Sequence, residues 1–288
     1  MTSPLIGAVI GSPVSHSLSP AIYSAAFVAH GVDGTYGAID TTADRCCDTV
    51  RSLVAEGARA LSVTMPLKES VIDCLDTIDD DARLLRAVNC VSVLDGRLVG
   101  HNTDGEGCCD ALVEQGGTAL DGAPAVVLGA GGTARSVALA LVRRGARVAV
   151  VNRTESRARE LVSMLSAAGP GSARVGDASD FAGATVLVNT TSVGMGSQES
   201  PVAVGFLHDR LVVLDAVYQP LETVLLASAR ASGARTVDGL WMLIQQARRQ
   251  CVHQFGWTPD AVPMRAAAER VLADRANRAR PGDGPEVA

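Results

Sequence analysis

The sequence predicts an α/β protein in two domains, on three observations. Over residues 125–154 the chain reads apolar strand, glycine-rich turn, helix and second strand, the βαβ order that builds a parallel sheet. Apolar residues make up 47% of the chain but aromatics only 3%, so Val, Ala and Leu must fill the interior, as suits strands buried on both faces. A length of 288 residues gives two domains of ordinary size a core each.

The elements follow in order. Residues 5–10 form an apolar strand that stops at the turn Gly11-Ser12-Pro13. A helix over 20–30 opens with Ser19 as N-cap and Pro20 at its first position, where proline lacks only an N–H that would be unpaired anyway. Residues 34–39 read as a strand and 43–56 as an amphipathic helix closed by Gly57. A strand over 60–64 runs into Met65-Pro66-Leu67-Lys68, and 67–75 and 79–85 read as helices. Strands at 88–93 and 97–101 flank Asp95-Gly96, a strong hairpin turn.

Asn102-Thr103-Asp104-Gly105 marks the crossing into the second domain, where a helix over 107–115 leads to the βαβ unit. Further strands are expected at 185–188, at 211–215 and near Thr236, with a loop over 194–201 and a helix over 221–231. Leu240, Leu243, Ile244, Ala247, Cys251 and Phe255 make one apolar helical stripe. The second sheet already has its strands, so this helix is expected to return to the first domain, with another helix over 260–273. The domains are therefore 1–104 with 240–275, and 105–239. The remaining tail, 276–288, is charged and rich in Pro and Gly and is expected to be disordered.

The βαβ unit carries chemistry. Gly129, Gly131 and Ala134 fit the G-x-G-x-x-G/A fingerprint of a Rossmann dinucleotide site, within the run Gly129, Ala130, Gly131, Gly132, Thr133, Ala134. The first glycine makes the tight turn, the second lets backbone approach a pyrophosphate, and the small third residue lets helix and strand pack closely. Ala134, Val137, Ala138, Leu141 and Val142 lie on one helical face, Gly145 stops the helix, and 147–151 is the second strand. An NAD site usually offers Asp or Glu about twenty residues past the first glycine, for the ribose 2′-OH. Here the strand runs into Asn152, Arg153, Thr154, Glu155, Ser156 and Arg157. Two guanidiniums and a hydroxyl suit a 2′-phosphate, which predicts NADP. Glu155 is the counter-signal, unless it is an exposed first-turn helix residue. A glycine turn alone reads equally well as an ordinary β–α connection; the complete unit with its basic tip favours a cofactor.

The formal charge of −6 gives no reason to expect nucleic acid or an anionic membrane as partner. The seven cysteines include the adjacent pairs Cys46–Cys47 and Cys108–Cys109 but no C-x-x-C. Neither a zinc site nor a disulfide framework fits this spacing, and free thiols in a reducing cytoplasm are expected. Residues 5–10 are too short for a secretory signal core. No apolar run approaches the roughly 20 residues of a membrane span, so a soluble cytoplasmic protein is expected.

Separate blocks, in order, are GSPVSHSLSP, SVTMPLK, AVNCVSV, HNTDG, GAGGTARSV, NRT, NTTSVGM, DAVYQP and DGLWMLIQQA. On these the chain resembles the shikimate 5-dehydrogenase family, over roughly 5–273. The resemblance implies NADP-dependent interconversion of 3-dehydroshikimate and shikimate, in aromatic amino-acid biosynthesis. It implies an N-terminal α/β substrate domain, a C-terminal Rossmann-type NADP-binding domain, a cleft between them, and no metal. A monomer or homodimer acting on a small-molecule substrate is expected.

By the same resemblance Lys68 is the catalytic lysine and Asp104 its partner. Ketone reduction needs a proton on oxygen, and an ammonium near that oxygen donates it and stabilises the developing alkoxide. A carboxylate beside it orients it and favours its charged form. Ser17 and Ser19 match carboxylate-binding serines on what reads as an extended segment; a turn with Ser19 as helix cap is the other reading, compatible with the first, and the motif favours the carboxylate role. Thr64, Asn89 and Gln246 match positions that hydrogen-bond substrate hydroxyls, and Asn102 is placed to help; amides donate and accept, as a polyol requires. Tyr218 matches a cleft tyrosine, against simple packing at a strand end. Thr190, Ser192, Gly194, Met195, Gly239 and Met242 match the cofactor's path to its nicotinamide, with Met242 equally readable as core. Two departures stand out: Cys90 where the family has Thr, which bears on substrate contacts, and Cys108 where it has Phe, which bears on packing at the hinge. Alternatives are a paralogue acting on quinate or aminoshikimate, or a catalytically silent NADP-binding sensor. The joint presence of Lys68, Asp104 and Gln246 argues against the last.

Overall fold

A computed structural model describes residues 5–279. It contains two six-stranded sheets. In the first, β1 (Leu5–Gly11), β2 (Gly34–Asp40), β3 (Ala58–Val63), β4 (Thr77–Ile78), β5 (Cys90–Leu94) and β6 (Arg97–His101) are ordered β2-β1-β3-β5-β6-β4. Only β5 runs against its neighbours. In the second, β7 (Pro124–Leu128), β8 (Arg147–Val151), β9 (Ser172–Val175), β10 (Val186–Asn189), β11 (Val212–Asp215) and β12 (Arg235–Val237) are ordered β12-β11-β10-β7-β8-β9 and all are parallel. The chain builds outward from β7 to β9 and then returns to β10 on the other side. This is the Rossmann order, with its switch point between β7 and β10.

The helices are α1 (Ser19–His30), α2 (Cys46–Ala55), α3 (Asp80–Leu85), α4 (Asp104–Glu114), α5 (Gly132–Arg143), α6 (Glu155–Met164), α7 (Val224–Ala231), α8 (Gly239–Phe255) and α9 (Ala261–Ala279). The apolar stripe of α8 decides its place. Leu240, Ile244, Ala247 and Cys251 are buried in one cluster with Val9, Leu18, Ile22, Tyr23 and Phe27, so α8 comes back to the first sheet. The hairpin between β5 and β6 turns on Asp95 at φ 49° and Gly96 at φ 77°, the left-handed pair that a two-residue turn needs.

Several local expectations change. Leu18, not Ser19, precedes α1, and the Ser17 hydroxyl accepts the Ser19 N–H at 3.2 Å. Ser17 and Ser19 therefore sit on a turn and a helix start, not on an extended segment. The helix expected over 43–56 opens as a 3-10 turn, Ala43–Arg45. Over 67–75 only a 3-10 helix forms, Ser70–Cys74. The Lys68 carbonyl accepts the Val88 N–H, so it is not available to a helical partner. In contrast α4 begins at Asp104, three residues before the expected start of its helix. The helix α9 runs on through Ala279 into the expected tail; residues 280–288 of that tail lie outside the described ones.

The expectation of free thiols is corrected by a disulfide between Cys47 and Cys74, whose Cα atoms are 5.2 Å apart. The pair is invisible in the spacing because folding brings α2 against the 3-10 helix. The other five cysteines are free and buried. Among the described residues no helix is long and apolar enough to cross a membrane, and no cluster of side chains is arranged to hold a metal ion.

Candidate active site

Four segments leave one edge of the first sheet together. β1, β3 and β6 share a direction and end there, while the opposed β5 begins there. That edge therefore gathers residues 12–19, residues 64–68, Asn89 and residues 102–104, far apart in sequence. Ligands of open α/β sheets bind beyond the carboxyl ends of strands, and the side chains here are those of a polar site.

Lys68 Nζ donates to Asp104 Oδ2 at 2.5 Å, and Asn89 Nδ2 donates to Asp104 Oδ1 at 2.7 Å. The Asn89 amide cannot turn round, because its Oδ1 already accepts the backbone N–H of Thr103 at 2.8 Å. Asp104 is the first residue of α4, where the helix dipole favours a carboxylate. Asn89 and Thr103 are buried, whereas the side chains of Lys68 and Asp104 remain 29% and 17% exposed. The ion pair thus faces outward while Asn89 and Thr103, which hold it, face in.

Gln246 on α8 completes the group. Its Oε1 lies 3.4 Å from Asn89 Nδ2, and its Nε2 donates to the Leu243 carbonyl at 2.9 Å. Two glycines in α4 allow this approach. A Cβ on Gly107 would lie 2.5 Å from the Gln246 backbone nitrogen, and one on Gly105 would overlap the Ser136 carbonyl oxygen. Without side chains at these positions, α4 fits between α8 and α5.

The remaining expected substrate residues are distributed around this edge. Thr64 follows β3 and its methyl group fills the space beside Gly11. Ser17 and Ser19 are half-buried at the start of α1. Tyr218 packs on the cluster shared by α1, α8 and α9, and burial raises its phenol pKa. Asn102, which the sequence places to help bind substrate, makes hydrogen bonds within the protein. Its Oδ1 accepts from Ser136 Oγ and from the Asp104 N–H, and its Nδ2 donates to the Ala87 carbonyl. It is a brace that ties the start of α4 to α5. Cys90 and Cys108 are fully buried, and burial pushes both thiols up; Cys90 therefore alters packing rather than a substrate contact. His101 is held by Asp79 at 3.0 Å and stacks on His253, outside the Lys68 group.

At the second sheet the backbone fits a dinucleotide. Gly129 has φ 110°, and a Cβ there would meet Thr190 Oγ1 at 2.7 Å. Its turn lies at the switch point, between the ends of β7 and β10. Added Cβ atoms on Gly131 and Gly132 would meet nothing within 4 Å, which leaves that space to a pyrophosphate. No side chain caps the start of α5, so its N–H groups are available to phosphate oxygens. Ala130 and Thr133 are half-exposed beside this turn, and Ala134 is buried against the sheet.

The loop after β10 is shaped from beneath. The Asp215 carboxylate accepts from Asn189 Nδ2 at 2.8 Å, and Asn189 Oδ1 accepts from the Thr191 N–H at 3.0 Å. This loop presents Thr190 and Ser192, buries Gly194 and leaves Met195 59% exposed. Gly239 lies tight against Ala216, where a Cβ would meet a carbonyl oxygen at 2.5 Å. Met242 is buried in the hydrophobic cluster of the second sheet, so packing is the role its surroundings display.

The tip of β8 carries Asn152, Arg153 and Thr154, with Arg157 in the first turn of α6. Arg153 and Arg157 are exposed and have no carboxylate partner among the described residues. The counter-signal is removed, because Glu155 pairs with Arg159 at 2.6 Å as an exposed i,i+4 bridge. A cavity of about 250 Å³ beside this tip is lined by Ala130, Arg135, Arg157, Glu160, Leu161 and Met164. The sequence reading did not single out Arg135; only its position one turn into α5 pointed there. The glycine turn, the uncapped helix and the unpaired basic tip together fit NADP.

Comparison with known proteins agrees. Residues 9–91 match the family model of the shikimate dehydrogenase substrate binding domain, and residues 111–184 that of shikimate / quinate 5-dehydrogenase. A shikimate dehydrogenase (NADP(+)) of Pyrococcus abyssi is 40% identical over 259 residues, which span 89% of this chain and 94% of that protein. The crystal structure of shikimate 5-dehydrogenase from Thermus thermophilus with NADP(H) and shikimate is similar at a TM-score of 0.84 and 38% identity, covering 93% of this chain and 100% of that one. The ligand-free 5-ketofructose reductase of a Gluconobacter strain is similar at a TM-score of 0.86 and 32% identity, covering 94% and 100%.

Proposed function

The chain belongs to the shikimate dehydrogenase family, and on that premise we propose that it is an NADP-dependent oxidoreductase that interconverts 3-dehydroshikimate and shikimate. The observation that carries this reading is the contact of Lys68 with Asp104 at the sheet edge, with Asn89 and Gln246 beside it. NADP, when bound, supplies the redox chemistry at the substrate carbon. It would be held by the turn from Gly129 to Ala134, with Asn152, Arg153, Thr154 and Arg157 on its 2′-phosphate. The loop with Thr190, Ser192, Gly194 and Met195, and Gly239 at the start of α8, would line its path.

The chain's own groups handle the proton and the orientation. In reduction the Lys68 ammonium donates a proton to the substrate oxygen, and Asp104 balances its charge and accepts from a neighbouring substrate hydroxyl. In oxidation the alcohol gives its proton to the same pair. Asn89, Thr64 and Gln246 bind ring hydroxyls. Ser17 and Ser19 bind the substrate carboxylate at the start of α1, where the helix dipole favours an anion. Tyr218 closes the side towards α9. Residues 1–104 with 240–275 form the substrate domain and 105–239 the cofactor domain, a division supported by the packing of α8 on the first sheet.

Turnover of shikimate, quinate and aminoshikimate, each with NADP and with NAD, tests the reading. Shikimate with NADP should give the highest kcat/KM by at least tenfold. A preference for quinate or aminoshikimate would reassign the substrate, and NADP binding without turnover of any of them would leave a sensor.

A further inference from the structure

We infer that Gln250 is a positioning residue that anchors the Gln246 amide, oxygen inward, so that its free N–H keeps a fixed place towards the substrate. The inference rests on the reading of Gln246 as a substrate-binding residue. Gln250 lies one turn after Gln246 on α8 and is only 2% exposed. Its Nε2 donates to the Asn89 carbonyl at 3.1 Å and to Gln246 Oε1 at 2.7 Å. Its Oε1 accepts from Ser62 Oγ at 2.6 Å and from the Tyr23 hydroxyl at 2.7 Å.

The polarity of this chain is set by groups that cannot reverse. A backbone carbonyl only accepts, so the Gln250 NH2 must face Asn89. The Tyr23 phenol is buried and its pKa is raised, so it stays a neutral donor towards the Gln250 carbonyl. Tyr36 OH accepts the Ser62 N–H and can donate to Ser62 Oγ, which leaves the Ser62 proton for Gln250. Gln250 can therefore offer only an N–H to Gln246, and Gln246 must turn its oxygen inward. One Gln246 N–H is taken by the Leu243 carbonyl. The other is left as a donor for a substrate hydroxyl oxygen. Without Gln250 the Gln246 oxygen keeps only the longer contacts with Asn89 Nδ2 at 3.4 Å and Thr103 Oγ1 at 3.5 Å, so the amide loses its closest anchor and the outward N–H its fixed place.

The test is a double-mutant cycle read as kinetics. Gln250→Met keeps the length and the burial and removes the donor. It should raise the shikimate KM about tenfold, the worth of one hydrogen bond, while the KM for NADP stays within twofold. In a Gln246→Ala background the same change should cost at most about twofold more, the share carried by its bond to the Asn89 carbonyl. An equal loss in both backgrounds would make Gln250 a structural residue and overturn the proposal. A Gln246→Ala variant with wild-type shikimate kinetics would instead remove Gln246 from the substrate site, and the proposal with it. Should Gln250→Met fail to fold, Gln250→Leu supplies the same cycle, since it too removes the donor to Gln246 Oε1.

Discussion

The Lys68 ammonium lies 2.5 Å from the Asp104 carboxylate, although the two residues stand on different sides of the β5–β6 hairpin. Lys68 sits between β3 and a 3-10 turn, and Asp104 opens α4. Their meeting depends on the hairpin: β5 leaves the edge where β3 ended, and β6 brings the chain back to it. The carboxylate is itself held by Asn89 and by the dipole of α4, so the ammonium has one fixed place.

The basic tip of β8 should set cofactor choice. Arg153→Ala is expected to raise the KM for NADP about tenfold, the loss of one charge-assisted bond, and to leave the KM for NAD nearly unchanged. Steady-state kinetics with both cofactors checks this. An unchanged NADP preference would mean that Arg153 does not touch the 2′-phosphate.

The close packing of α4 on α5 should tolerate no side chain at position 105. Gly105→Ala drives a methyl group into the Ser136 carbonyl oxygen, so helices must move apart. Such overpacking costs about 1–3 kcal/mol or more. Denaturant unfolding should show that loss, and Gly96→Ala, where nothing lies within 4 Å, should lose less, since only its left-handed backbone opposes the change.

The stacked histidines give stability a pH dependence. Burial, then the neighbouring His101 and Arg249, hold the His253 pKa below 6.5, against the pull of Asp79. A folded value below the unfolded one means that the unfolded chain binds the proton more readily. The contribution is full above about pH 6.5 and is lost as the pH falls through the folded value. His253→Asn should flatten the decline of the unfolding midpoint below about pH 6.5; an unaltered slope would assign that decline elsewhere.

Regular packing made much of this fold legible. The strand, glycine turn and helix from β7 to α5 bury a periodic set of small residues, and the α8 stripe showed a buried face whose destination followed from a second sheet already supplied with strands. Three kinds of feature were hidden. Asp104-Gly105 reads locally as a turn, and only the fit of Gly105 and Gly107 against neighbouring helices shows why α4 starts there. β4 has two residues, and β9 is a short strand at the edge of its sheet, so neither leaves a periodic signal. Buried polar side chains such as Ser62, Ser136 and Gln250 look like surface residues in a sequence, because their partners are distant along the chain. The site residues Lys68, Asp104, Asn89 and Gln246 came from the family resemblance, and Asn102 from its neighbourhood; the structure brings the first four together and gives the fifth a bracing role.

The most direct measurement is made on one Lys68→Ala protein, reading shikimate turnover from the absorbance of the reduced nicotinamide and NADP affinity by titration. Turnover should fall about 10²–10⁴-fold, the range for loss of a general acid–base group, with the NADP dissociation constant within twofold of wild type. Turnover retained within tenfold, or NADP binding lost together with activity, would contradict the role of Lys68 and Asp104 in moving the proton.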